Sequence, residues 1–137
     1  MKSLPLSLCL AATLAAAGSP ASAQAVTLSC AFSDFDPAEM KAHLANVVPE
    51  RSTHEITDSE AINRTTGKPG LAKVGGAEIN LVYRDKVRIT GEIIVEYKIK
   101  RATGMTFVRT RALRPAYSSS SPEMQGVAVI TGTCHEG

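Results

Sequence analysis

An alternation of apolar and polar residues dominates the second half of this chain. Seven successive odd-numbered positions carry apolar residues or glycine, and all but one of the positions between them are polar or charged. A period of two is typical of a strand with one face in the core and one in solvent. The apolar positions are Val87, Ile89, Gly91, Ile93, Val95, Tyr97 and Ile99. We predict one long strand here, with a bulge or kink at Gly91.

A second strand precedes it, because Ile79, Leu81 and Tyr83 have the same period. A three-residue turn through residues 84–86 would pair Tyr83 with Val87 and place both apolar faces on one side. Further strands are predicted from Val26 to Phe32, with Cys30 pointing inward, from Met105 to Leu113, and from Gly126 to Cys134. The pattern from Glu50 to Gly70 is weak, with one edge strand around Ile56 followed by a loop. Ser118 to Pro122 is also predicted to be a loop.

One short N-terminal helix is predicted between the first two strands. Asp36 can cap it, Pro37 suits the first helical position, and Glu39 stands three residues after the cap. The apolar stripe of this helix consists of Met40, Leu44 and Val47. The predicted fold class is therefore mainly β, as a curved antiparallel meander or small barrel of five to seven strands with this helix.

The turn before Gly104 leaves two registers open. A three-residue loop would pair Ile99 with Phe107 and turn Arg109 and Arg111 inward. A four-residue loop would pair Ile99 with Thr106 and turn both arginines outward. A slip of one residue reverses every side chain, so the choice decides whether these cations face the core or solvent.

Residues 1–23 have the features of a signal peptide. Lys2 provides the positive start, an apolar run extends from Leu4 to Ala17, and Ala21-Ser22-Ala23 provides a small-residue cleavage site. We expect residues 24–137 to form a single domain of an exported protein, periplasmic or extracellular and of bacterial type. We expect no membrane span after cleavage, because the apolar run is too short.

Two of the three cysteines lie beyond the predicted cleavage site, Cys30 near the start and Cys134 near the end. Disulfides persist in exported proteins, so we predict that these two residues are bonded. In the loop-entropy model, a bridge that closes a loop of roughly 100 residues stabilises the fold by about 4.7 kcal/mol.

Charge is unevenly distributed although the formal net charge is only +2. Residues 30–60 contain seven acidic and two basic residues, whereas residues 84–114 contain nine basic and three acidic residues. The candidate contacts for an anion or a partner are Lys98, Lys100, Arg109 and Arg111. A simpler interpretation makes them the solvated face of a sheet, where cations discourage aggregation. Nucleic acid is a poor candidate, since the chain has no tryptophan and few aromatic residues for stacking.

Residues suited to catalysis or metal binding are scattered. His43, His54 and His135 do not follow a metal-ligand spacing, and the serines at 118–121 lack the sequence context of a nucleophile. We predict no metal site, no catalytic residues and no cofactor. The leading hypothesis is a non-catalytic binding or interaction domain that presents a pocket or its basic strands to an anionic small molecule, a lipid head group or an envelope protein. A structural or inhibitor-like protein that docks on another envelope protein comes second, and an enzyme third.

Overall fold

Eight antiparallel strands close into a barrel in the computed structural model, which describes residues 25–114 and 125–137. Each strand pairs with the next along the chain, and the last pairs with the first. The strands are β1 (Ala25–Asp36), β2 (Arg51–Thr57), β3 (Glu60–Asn63), β4 (Lys68–Val74), β5 (Glu78–Val87), β6 (Gly91–Lys100), β7 (Met105–Ala112) and β8 (Ala128–Glu136). The predicted signal peptide, residues 1–23, and the predicted loop from Ser118 to Pro122 lie outside the described residues.

The mainly β, barrel-like class is confirmed, but the predicted count of five to seven strands is too low. The prediction missed β3 and β4. Only four residues form β3, too few to show an alternation, and β4 contains Pro69 and Gly70, which are typical of loops. Gly70 is needed inside this strand because a Cβ atom at its position would lie 2.5 Å from Cδ1 of Tyr83. The ring of Tyr83 therefore packs over a position that only glycine can occupy without displacing it.

The turn between β5 and β6 lies four residues later than predicted. Residues 84–86 belong to β5, Tyr83 pairs with Val95 instead of Val87, and Gly91 starts β6 with a φ of 79°. Both turns place the odd-numbered residues inside, so the alternation could not distinguish them. The later turn extends the ladder of paired residues, and it places Asp85 at an inward position of the barrel wall.

The register between β6 and β7 is the one given by a four-residue loop. Ile99 pairs with Thr106 and Tyr97 with Val108. Val108 and Ala112 are buried, whereas Arg109 and Arg111 are exposed on the outside. This result decides between the two alternatives that the sequence leaves open.

The helix α1 (Met40–His43) is shorter than predicted and starts later. Asp36 cannot cap it, because Asp36 is the last residue of β1 and pairs there with Val129. The predicted apolar stripe of Met40, Leu44 and Val47 is nevertheless buried. These side chains join the barrel core, so the connection from β1 to β2 covers the barrel at that end.

A disulfide bond joins Cys30 to Cys134, as predicted. The two residues face each other directly in the pairing of β1 with β8, and both are buried. They are 104 residues apart in sequence, so the bond ties together the two strands that close the barrel.

Candidate functional site

Aromatic side chains from opposite walls meet inside the barrel. In the closed strand order, β1 and β2 lie across from β5 and β6. The ring of Phe32 on β1 is 6.0 Å from that of Tyr97 on β6, and the ring of His54 on β2 is 4.9 Å from Tyr97 and 5.6 Å from Tyr83. Contacts that span the lumen fill it, so the inside of this barrel is a packed core.

A chain of hydrogen bonds runs through this core. The hydroxyl of Ser52 lies 2.8 Å from Nε2 of His54, and the hydroxyl of Tyr83 lies 2.7 Å from Nδ1 of the same ring. Burial lowers the pKa of His54 from 6.5 to about 4, which keeps the imidazole neutral. A neutral ring has one donor and one acceptor, so one of the two hydroxyls donates to it and the other accepts from it.

Ser52 and His54 have the hydrogen bond of a nucleophile and its base, but both residues are buried. The exposed fraction is 4% for Ser52 and 0% for His54. Burial also raises the pKa of Tyr83 and that of Tyr97 above the usual value of tyrosine. The hydroxyl of Tyr97 is buried and has no hydrogen-bond partner among the described residues. This cluster can orient the side chains of the core.

The other two histidines, His43 and His135, are exposed. Within residues 25–114 and 125–137, no three histidine, cysteine or acidic side chains come together in a way that could hold a metal ion. No helix in this part of the chain is long and apolar enough to cross a membrane.

All four predicted cationic contacts point outward from the barrel. Lys98 and Lys100 lie on β6, and Arg109 and Arg111 lie on β7. Lys98 is 3.9 Å from Glu78, and Arg111 is 3.7 Å from Glu96. Exposed pairs of this kind contribute little to stability, roughly 0–1 kcal/mol. Among the described residues, Arg109 forms no ion pair.

An open groove of about 420 Å³ crosses β5 to β8 on the outside of the barrel. We call it the outer groove. Its charged side chains are Glu96, Lys98 and Arg109, and its exposed apolar side chains are Val82, Phe107 and Val129. The strand register places Arg109 directly between Glu96 and Val129. Two of the four predicted cations, Lys98 and Arg109, thus line the groove, whereas Lys100 and Arg111 lie beyond it in opposite directions along the strands.

Three apolar residues of the outer groove were missed from the sequence. Val82, Phe107 and Val129 are exposed by 37%, 37% and 39%. The signal for Val82 was available, since it lies between the inward positions 81 and 83. For Phe107 the signal depended on the register at Gly104, because the three-residue loop would have turned its ring into the core.

Comparison with known proteins finds no matching family model, no matching curated protein and no matching solved structure.

Proposed function

We propose that this chain is an exported, non-catalytic binding domain that docks an anionic partner on the outer groove. The observation that carries the proposal is the position of Arg109, an exposed cation without an ion pair in the described residues, among three exposed apolar side chains. The partner belongs to one of the classes expected from the sequence: an anionic small molecule, a lipid head group or an envelope protein.

Two contributions to the free energy favour binding of a partner at the outer groove: the burial of apolar surface and the relief of repulsion between cations. Removal of the exposed apolar side chains from water favours a complex, although part of that gain is offset by the entropy lost on association. Arginine and aromatic residues are enriched where binding energy concentrates in interfaces. The cations on β6 and β7 also repel each other, and an anion relieves that repulsion. The filled lumen supports an outside site over an internal one.

Export is part of the proposal. The charged start, apolar run and cleavage site at residues 1–23 support it, and so does the bond between Cys30 and Cys134, because disulfides persist in the periplasm and outside the cell. The bacterial origin rests on the form of the signal peptide alone.

A structural or inhibitor-like role, in which the chain docks on another envelope protein, is the second candidate. The observation that favours it is the combination of an open groove with exposed apolar residues on a strand face. Such a protein needs a surface and no internal chamber.

Site-specific photo-crosslinking in the producing cell tests the proposal. A photoreactive residue at position 80, on the rim of the outer groove, is compared with one at Thr57, an exposed position on β2. We expect a discrete adduct at position 80 only, with loss of that adduct when Arg109→Gln and Arg111→Gln are added. The mass of the adduct gives the class of the partner. No adduct at position 80, or equal adducts at both positions, would contradict the proposal.

A further inference from the structure

We infer that the partner is a protein, and that the outer groove receives an acidic segment in which an apolar anchor residue stands beside a carboxylate. This inference rests on the proposed function of the groove and narrows it to one class of partner. It follows from how the charges and the apolar side chains are arranged around Arg109.

Arg109 is placed to hold a single carboxylate. Its planar guanidinium can donate two parallel hydrogen bonds to the two oxygens of an aspartate or glutamate. Lys98, the other cation of the groove, already lies 3.9 Å from Glu78. The groove therefore offers one cation without an ion pair in the described residues, which matches one carboxylate.

The carboxylate of Glu96 makes the binding of a densely charged anion at Arg109 unfavourable. It faces Arg109 directly across the pairing of β6 with β7, and it lines the same groove. It also lies 3.7 Å from Arg111, an exposed contact of the kind that contributes little, so Glu96 still presents its charge to the groove. A phosphate or a polyanion on Arg109 would sit close to this carboxylate and be repelled by it. A peptide segment is repelled less, because it carries only one carboxylate and its backbone N–H groups can donate hydrogen bonds to Glu96.

The apolar side chains suit an anchor residue beside that carboxylate. Val129 is the cross-strand neighbour of Arg109, and Phe107 lies two residues away on the same strand face. Val82 continues the apolar surface on the other side of Glu96. An aliphatic or aromatic side chain that packs on these residues places the next residue of its chain near Arg109.

The shape of the groove suits a segment lying on a surface. At about 420 Å³ it is near the lower end of ligand sites, and it is open along the outside of the strands. A lipid chain would need an enclosed slot to leave water. Asn80 on the rim can donate to and accept from the backbone of such a segment.

Selection from a displayed library of random peptides tests this chemistry directly. The full mature protein serves as bait, with counter-selection on the Arg109→Gln variant. We expect enriched sequences in which an apolar residue adjoins Asp or Glu. In anisotropy titrations of the best peptide, replacing its acid by the amide, or Arg109 by Gln, weakens binding at least tenfold. Lys86→Gln, the same loss of charge outside the groove, changes binding less than twofold.

Three outcomes would overturn the inference. They are no enrichment, enriched peptides without acidic residues, and co-sedimentation with phosphatidylglycerol vesicles that Arg109→Gln abolishes while acidic peptides do not bind. A non-protein adduct at position 80 in the crosslinking experiment would also overturn it and leave the proposed function intact. Absence of any adduct there would remove both.

Discussion

The inner and outer faces of β5 each contain a residue that is unusual for its surroundings: a buried hydroxyl on the inner face and an exposed apolar side chain on the outer face. On the inner face, the hydroxyl of Tyr83 is buried but is hydrogen-bonded to His54. On the outer face, the neighbouring Val82 is exposed by 37%, and its cross-strand neighbour on β4, Leu71, is exposed by 66%. Polar groups in a core that bond to each other serve the fold, whereas apolar groups left in water are available to a partner.

The two faces therefore differ in what a substitution should change. Inside, the loss of one partner leaves another polar group buried and unpaired, so the free energy of unfolding falls. On the outer face, a substituted side chain remains in contact with water. The free energy of unfolding therefore stays nearly constant, and the affinity for a partner changes instead. Measurements on the core and on matched positions of the two faces separate these effects.

The largest effect is expected from pH acting on His54. Its pKa is about 4 in the folded chain and 6.5 when exposed, so the unfolded state binds the proton more readily. The contribution of neutral His54 to the free energy of unfolding is therefore fully present above pH 6.5, and it is lost as the pH drops toward 4. The shift corresponds to a loss of about 3 kcal/mol. Urea unfolding at several pH values in this window measures it.

The His54→Gln variant isolates this contribution from that of the carboxylates. We expect its free energy of unfolding to depend less steeply on pH between 6.5 and 4 than that of the natural chain, whatever its absolute stability. An unchanged slope would show that His54 is not held neutral by burial.

A pair of valines compares the two faces with one chemical change. Val108 is buried and Val129 is exposed by 39%, and they lie on adjacent strands. Val→Thr keeps the shape and replaces one methyl group by a hydroxyl. We expect Val108→Thr to lower the free energy of unfolding by about 1–3 kcal/mol, and Val129→Thr to change it by less than about 0.5 kcal/mol. Equal losses in denaturant titrations would contradict the assignment of the faces.

A smaller effect than that of pH is expected from the two tyrosine hydroxyls of the buried cluster. Tyr83→Phe removes a partner of His54 and should lower the free energy of unfolding by about 1–2 kcal/mol. Tyr97→Phe removes a hydroxyl without a partner in the described residues, so it should leave stability unchanged or raise it by about 1 kcal/mol. Thermal unfolding of both variants gives the comparison, and a larger loss for Tyr97→Phe would reverse our account of this cluster.

Strands with a long alternation of apolar and polar residues were predictable from the sequence. Short strands, and strands that contain proline or glycine, were not. The periodicity located β1, β6, β7 and β8 because each has one face in the core. It failed at β4, where Gly70 makes room for a ring that comes from the neighbouring strand β5. It also misplaced the turn after β5, since a shift of four residues preserves the alternation.

The candidate site was predictable in part. Charge alone indicated four cations, of which Lys98 and Arg109 line the outer groove. The outward direction of Lys98 and Lys100 followed from the alternation in β6, whereas that of Arg109 and Arg111 depended on the register at Gly104. The apolar half of the outer groove was missed because Val82, Phe107 and Val129 come together only when neighbouring strands pair side by side. The burial of His54 had one signal, because it shares a strand face with Ile56 two residues later, but its hydrogen bond to Tyr83, 29 residues away, had none.

The pairing of β1 with β8 also constrains the order in which this chain can fold. Hairpins such as β5–β6 join residues that are close in sequence and can form early. Closure requires β1 to wait for a strand about 100 residues downstream, and the entropy lost in such an encounter makes it slow. Until β8 arrives, β1 has one unpaired edge, so the folding chain is exposed to aggregation or proteolysis just before the nine residues of β8 pair.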